Sequence, residues 1–162
     1  MKRKNMAKSL CTSAIIAALY VGLTYLCGML GLSSGAVQLR FSEALCVLPA
    51  FTVHGIGGLF IGCLLSNLLV GGVALDVIFG SLATLLGAVG TYLIGKRNPV
   101  LAVIPPIIAN TAIIPFVLSY AYGAEESIWF LFLTVGIGEV LSAGVLGYVV
   151  WRSADRMRHI FK

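Results

Sequence analysis

The sequence predicts an all-α integral membrane protein of six transmembrane helices, and three observations carry that prediction. Hydrophobic residues fill 59% of the 162 positions and charged residues only 10%, where a soluble domain carries about a quarter charged. The mean hydropathy of +1.02 leaves too little polar surface to solvate a globule, and the same composition excludes a disordered tail or a coiled coil. The apolar positions gather into runs, each bounded by basic residues, on the scale of the ~20 residues that a helix needs to cross a bilayer. The net charge of +5 comes from 11 basic and 6 acidic residues. The basic ones form no stripe interleaved with polar contacts, so they read as topology signals and imply no nucleic-acid partner.

The first apolar run, 8–32, exceeds the ~7–15 residues of a signal-peptide core and reads as an uncleaved first helix. Lys2, Arg3, Lys4 and Lys8 place the N-terminus in the cytoplasm, Lys96 and Arg97 mark a second cytoplasmic loop, and Arg152, Arg156, Arg158 and Lys162 mark a cytoplasmic C-terminus. An even number of crossings must then precede Lys96, so the long run 43–95 contributes an odd number, and its length fits three. Within it, His54-Gly55-Ile56-Gly57-Gly58 reads as an inside turn and Gly71 to Asp76 as an outside turn, with Asp76 available as a helix cap. The expected spans are 8–32, 42–53, 56–72, 76–95, 100–121 and 127–151, in a single domain 1–162 of a multi-pass cell-membrane protein. The second span ends soon after Pro49 and is too short to cross at ~1.5 Å per residue. Irregular backbone at membrane depth characteristically lines a site.

Ionisable and amide side chains inside spans are costly and face a cavity or a partner. Glu139, about twelve residues into the last helix, and Asn110, about eleven from the outer end of the fifth, fall at similar depth by the rise per residue. Asn67, Asp76, Gln38, Arg40 and Glu43 map to the same outer side. Each also has a plainer reading. Arg40 and Glu43 at i,i+3 can simply pair at the interface, Asp76 can be only a cap, and Asn67 and Asn110 can be interhelical hydrogen-bond glue. Glu139 has the weakest plain reading, since an unpaired carboxylate there must hold a proton or meet a cation. Tyr120, Tyr122 and Trp129 form an interfacial belt or stack on a planar ligand. His54 and His159 read as surface residues.

Ala14, Ala18 and Gly22 repeat every four residues along the first helix, a small-residue ridge on which another helix can approach. Gly58 with Gly62, and Ala83, Gly87, Thr91 and Gly95, make similar faces that read as internal packing. Cys11, Cys27, Cys46 and Cys63 lie in apolar stretches without metal-ligand spacing, and no metal site is expected. The segment Gly90 to Arg97 mimics a phosphate-binding loop, but Arg97 stands where Ser or Thr is required and no strand precedes it. With no HExxH, GxSxG or EF-hand pattern, nothing marks an enzyme, and no cofactor is expected in this chain.

The block Val37-Gln-Leu-Arg-Phe-Ser-Glu-Ala-Leu-Cys-Val-Leu-Pro49 resembles the start of the second helix in the QueT family, the substrate-binding S components of energy-coupling factor (ECF) transporters for queuosine precursors. Gly57-Gly-Leu-Phe-Ile-Gly-Cys-Leu-Leu-Ser-Asn67, Asp76-Val-Ile-Phe-Gly-Ser-Leu-Ala-Thr-Leu85, Asn110-Thr111 and Gly138-Glu139 are similar to the same family, in the same order. The resemblance implies the S-component fold, with an outward pocket capped by the loop between the first two helices. It also implies partners, namely a transmembrane (T) subunit and two ATPase subunits that use ATP. The family's small-residue contact with the T subunit falls on Ala14 and Ala18, with Gly22 continuing the ridge. The implied ligand, 7-aminomethyl-7-deazaguanine or queuine, is planar. The aminomethyl base adds a cationic amine, which suits Glu43 and Glu139 in unspecified order, with Gln38, Asn67, Asn110 and Arg40 for ring groups and Trp129 or Tyr120 for stacking. The alternatives are an S component for a different vitamin-like solute and a stand-alone ion-coupled carrier. A membrane enzyme would need an activated nucleophile that the sequence does not offer.

Overall fold

The computed structural model describes residues 2–32, 38–96 and 98–157, with side chains from Met6 onward. The topology signals Arg97, Arg158 and Lys162, together with His159 and the segment 33–37, lie outside these residues.

The described residues are helical throughout and contain no strand: α1 (Lys2–Met29), a 3-10 helix (Phe41–Ala50), α2 (His54–Leu69), α3 (Ala74–Ile94), α4 (Pro99–Ala121) and a last rod. The rod runs as α5 (Ile128–Glu139), a π-helical stretch (Val140–Leu146) and α6 (Gly147–Arg156). Four helices are long and apolar enough to cross a membrane: Met6–Met29, Ala74–Ile94, Pro99–Ala121 and Ile128–Arg156. The 3-10 helix and α2 are apolar but shorter. Consecutive helices pack side by side from α1 to α5, and the 3-10 helix is wedged at the centre against α1, α3, the π stretch and α6.

The break before α2 falls earlier in the chain than the sequence predicts: the turn is at Phe51 to Val53, and His54 already begins the helix. His54 to Gly58 is therefore not a turn. Its glycines serve close packing instead, because a Cβ on Gly58 would stand 2.7 Å from the Ser13 carbonyl oxygen and one on Gly62 would stand 2.8 Å from Tyr20 Cβ. His54 is half-buried, with its Nδ1 2.8 Å from Ser9 Oγ, rather than a free surface residue. Asp76 is not the cap of α3 either. That position belongs to Val73, and Asp76 sits inside the first turn.

The α3–α4 seam is closely packed. Cβ atoms on Gly87, Gly90 and Gly95 would stand 2.7 Å from Pro106 Cα, 2.6 Å from Pro105 Cβ and 2.8 Å from Ala102 Cα, while Thr91 Oγ1 donates to the Ala102 carbonyl at 2.8 Å. The proline rings of α4 thus occupy the space that the glycines of α3 leave. Asn98 caps α4 by accepting from the Val100 N–H at 2.8 Å, and Pro99 follows where a missing N–H does no harm. At the base, Trp151 Nε1 donates to the Gly95 carbonyl at 3.3 Å and its ring leans on Phe51.

The two faces of α1 differ. Ile16, Ala17, Tyr20, Thr24 and Cys27 are buried against the bundle. Ala14, Ala18 and Gly22 are exposed on the other side, as is Cys11, and nothing lies within 4 Å of a Cβ built on Gly22.

Candidate functional site

Two departures from α geometry meet at the site. The 3-10 helix rises ~2.0 Å per residue, so its ten residues reach further than an α-turn count suggests. Pro49 brings no N–H and disfavours α geometry for Leu48. Opposite, the π stretch opens directly after Glu139, and π-turns inside α-helices recur at functional positions. Gly138 and Ser142 join the two: a Cβ on Gly138 would overlap the Gln38 carbonyl, and the Arg40 N–H donates to Ser142 Oγ at 3.1 Å.

Between them lies a small cavity of about 20 Å³, room for about one water. Gln38, Arg40 and Glu43 line it from the start of the 3-10 helix, Thr84 from α3, Asn110 from α4 and Glu139 from α5. Ile114 and Val135 supply apolar wall, and Gly80 leaves it open toward α3. Five of the eight substrate residues expected from sequence therefore converge on one cavity.

The two carboxylates differ in their surroundings. Glu43 is 2% exposed and both its oxygens are engaged. Its Oε1 accepts from the Tyr20 hydroxyl, and its Oε2 accepts from Asn110 Nδ2 at 3.1 Å and from the Cys46 thiol at 3.1 Å. Glu139 is 8% exposed and its Oε2 has no hydrogen-bond partner. It lies under the electrostatic influence of Glu43 and Arg40 and against Asn110. The Arg40 guanidinium makes no ion pair or hydrogen bond among the described residues and feels Asp76 and Glu43 as its acidic neighbours. Arg40 and Glu43 are thus not the simple interfacial pair that their spacing allowed.

Asn67 and Asp76 stand just behind the cavity. Asn67 Nδ2 donates to the Asp76 carbonyl at 3.3 Å, and a Cβ on Gly80 would come within 3.0 Å of Asn67 Nδ2 and 3.2 Å of Asp76 Oδ1. Asp76 Oδ2 accepts from the Tyr122 hydroxyl at 2.8 Å, which ties the start of α3 to the end of α4. Burial and that bond push the Tyr122 phenol up from its ordinary value. Trp129 does not reach the cavity: it is 79% exposed and packs on Phe132, and Tyr120 is 81% exposed. Both stand on the exposed surface near the connection of α4 to α5, so neither is placed to stack on a ligand in this cavity.

Tyr20, Thr84 and Ser142 are not singled out by sequence reasoning, and Cys46 is noted there only as a cysteine without metal-ligand spacing. Tyr20 alone carried a signal, as a hydroxyl-bearing ring in the middle of an apolar run, where a partner is needed. Among the described residues no group of three His, Cys, Asp or Glu is placed to share a metal ion.

The model of the family described as "QueT transporter" matches residues 10–156 of the chain. The "Queuosine precursor transporter QueT" of Lactococcus lactis subsp. cremoris (strain MG1363) is 41% identical over 83 residues, which cover 51% of this chain and 48% of that protein. The chain thus matches about half the length of that relative. No solved structure matches.

Proposed function

The chain belongs to the QueT transporter family, and from that premise we propose that it is the S component of an ECF importer, capturing a 7-deazaguanine queuosine precursor, 7-aminomethyl-7-deazaguanine or queuine. It is a multi-pass membrane protein. In the proposed topology the chain is one domain that crosses six times with both termini cytoplasmic, and the 3-10 helix and α2 complete the second and third crossings.

The observation that carries the reading is the charge pattern of the cavity. Two buried carboxylates, Glu43 and Glu139, face one guanidinium, Arg40, with a third buried carboxylate, Asp76, just behind them. Such an imbalance in low dielectric favours a cationic ligand with hydrogen-bonding edges, which describes the aminomethyl base. The relative's name, queuosine precursor transporter, agrees with that chemistry. A deazaguanine is many times larger than 20 Å³, so the cavity opens when the ligand enters.

The outward ridge of Ala14, Ala18 and Gly22 fits a T subunit as partner, because it faces away from the bundle and leaves room for a helix to approach closely. Energy would come from ATP used by two partner ATPases, with no cofactor in this chain. Calorimetric titration of the purified protein in detergent with 7-aminomethyl-7-deazaguanine, queuine and guanine tests the ligand class. Tight one-to-one binding of a deazaguanine without guanine binding is expected, and a folded protein that binds none of them overturns the assignment. Ala14→Leu with Ala18→Leu should leave that binding within about twofold and abolish co-purification of the T subunit. Retained co-purification removes the ridge from the interface.

A further inference from the structure

We propose that the two carboxylates divide the work: Glu139 and the Arg40 guanidinium read the ligand's lactam edge, while Glu43, fixed by Tyr20, is framework. This rests on the deazaguanine reading of the site and assigns roles within it.

Glu43 is bonded from three directions, by Tyr20 of α1, Asn110 of α4 and Cys46 one turn along its own helix. A ligand donor at Glu43 would have to displace one of them and strand a buried polar group. Glu139 Oε2 has no bond to lose, and neither has the Arg40 guanidinium among the described residues. Glu139 keeps Asn110 as a neighbour, and in a cavity that must open the side chains with the fewest internal bonds are the ones that move most readily.

The local fold also delivers these two groups together. Gly138 lets the Gln38 backbone lie directly on α5, and Ser142 accepts from the Arg40 N–H. The segment carrying Arg40 is thereby docked on the residues that flank Glu139. A donor fork beside a vacant carboxylate acceptor complements an edge in which a carbonyl sits next to N–H donors. The 2-aminopyrimidinone edge of a deazaguanine is such an edge, with the carbonyl toward Arg40 and the ring N–H and 2-amino group toward Glu139. Tyr20 is then a positioning residue, acting through Glu43.

The test is a mutant-by-ligand cycle read by calorimetry. Wild type, Glu139→Gln, Glu43→Gln and Tyr20→Phe are each titrated with 7-aminomethyl-7-deazaguanine and with its analogue lacking the 2-amino group, after thermal melting has shown each variant folded. Wild type should prefer the parent by at least about tenfold. Glu139→Gln should compress that preference to below about threefold, whereas Glu43→Gln and Tyr20→Phe should weaken both ligands alike and keep the ratio. Tyr20→Phe combined with Glu43→Gln should add little to Glu43→Gln alone, a non-additivity that a general packing role would not produce. Collapse of the preference in Glu43→Gln with survival in Glu139→Gln reverses the roles and overturns the inference, as does a wild type that binds both ligands equally. A wild type that binds neither overturns the ligand assignment itself, which is a separate result. A Glu43→Gln that does not fold leaves the decision to Glu139→Gln and Tyr20→Phe: a ratio kept in the former or lost in the latter rejects the division.

Discussion

The α3–α4 seam and the crossing of the 3-10 helix with the π stretch lie on neighbouring parts of the same bundle and are built on opposite rules. At the seam both helices are regular, the backbones approach through Gly87, Gly90 and Gly95, and the residues facing them are prolines and alanine. At the crossing neither segment is α-helical, and the cavity there is lined by two acids, two amides and a guanidinium, with one carboxylate oxygen unbonded. Helix α3 serves both, with Gly87 on the seam and Thr84 one turn away in the cavity wall. A close-packed contact beside the site lets the site carry polar groups that are not satisfied, since the surrounding packing holds their geometry.

The largest effect should come from crowding the seam. Gly87→Leu places a Cβ 2.7 Å from Pro106 Cα, a backbone atom that cannot step aside. Overpacking of that kind costs about 1–3 kcal/mol or more, so the melting temperature in detergent should fall by about 10 °C. Unchanged melting would erase the contrast from the stability side. Next comes Glu139→Gln, which should weaken binding of the cationic base by more than about tenfold while leaving melting unchanged or raised, because Glu139 Oε2 has no hydrogen bond to lose. Equal affinity would take Glu139 out of the site and make the crossing a packing contact like the seam.

A smaller effect concerns the Tyr122–Asp76 tie above the cavity. The bond needs a protonated phenol, and burial and Asp76 raise the Tyr122 value above its ordinary 10.0. Its contribution is therefore complete below pH 10 and is lost as pH rises through the elevated value. Tyr122→Phe should lower melting modestly at neutral pH and shrink the difference from wild type at strongly alkaline pH, provided both remain folded. A difference that is constant across that range would show that the bond contributes nothing. The smallest effect should be Trp129→Ala, with affinity within about twofold of wild type because the ring is 79% exposed and away from the cavity. A loss beyond tenfold would return Trp129 to the site.

Composition and breaks made the helical membrane character legible, and the short second segment was readable from Pro49 and the length available. Gln38, Arg40, Glu43, Asn110 and Glu139 were legible as a group because polar side chains in an apolar run have few places to go. What could not be read was direction. In lipid both faces of a helix are apolar, so α1 shows no amphipathic contrast to say that Tyr20 turns inward while Ala14, Ala18 and Gly22 turn out. The turn misplaced at His54 to Gly58 has the same origin, because glycine marks a loop in water and a close helix contact in a membrane. Trp129 was ambiguous for a related reason: an aromatic residue near a helix end suits both a belt and a stacked ligand.

The exposure of Cys11 gives the chain a native chemical handle. Of the four cysteines it alone is exposed, while Cys27, Cys46 and Cys63 are shielded by the bundle. It also stands three residues before Ala14, on the neighbouring surface of the same helix. A membrane-permeant thiol-reactive label on the unaltered protein therefore attaches at a single known place beside the small-residue ridge. The rate at which that label reacts becomes a footprint of whatever covers the ridge, with no residue changed to obtain it.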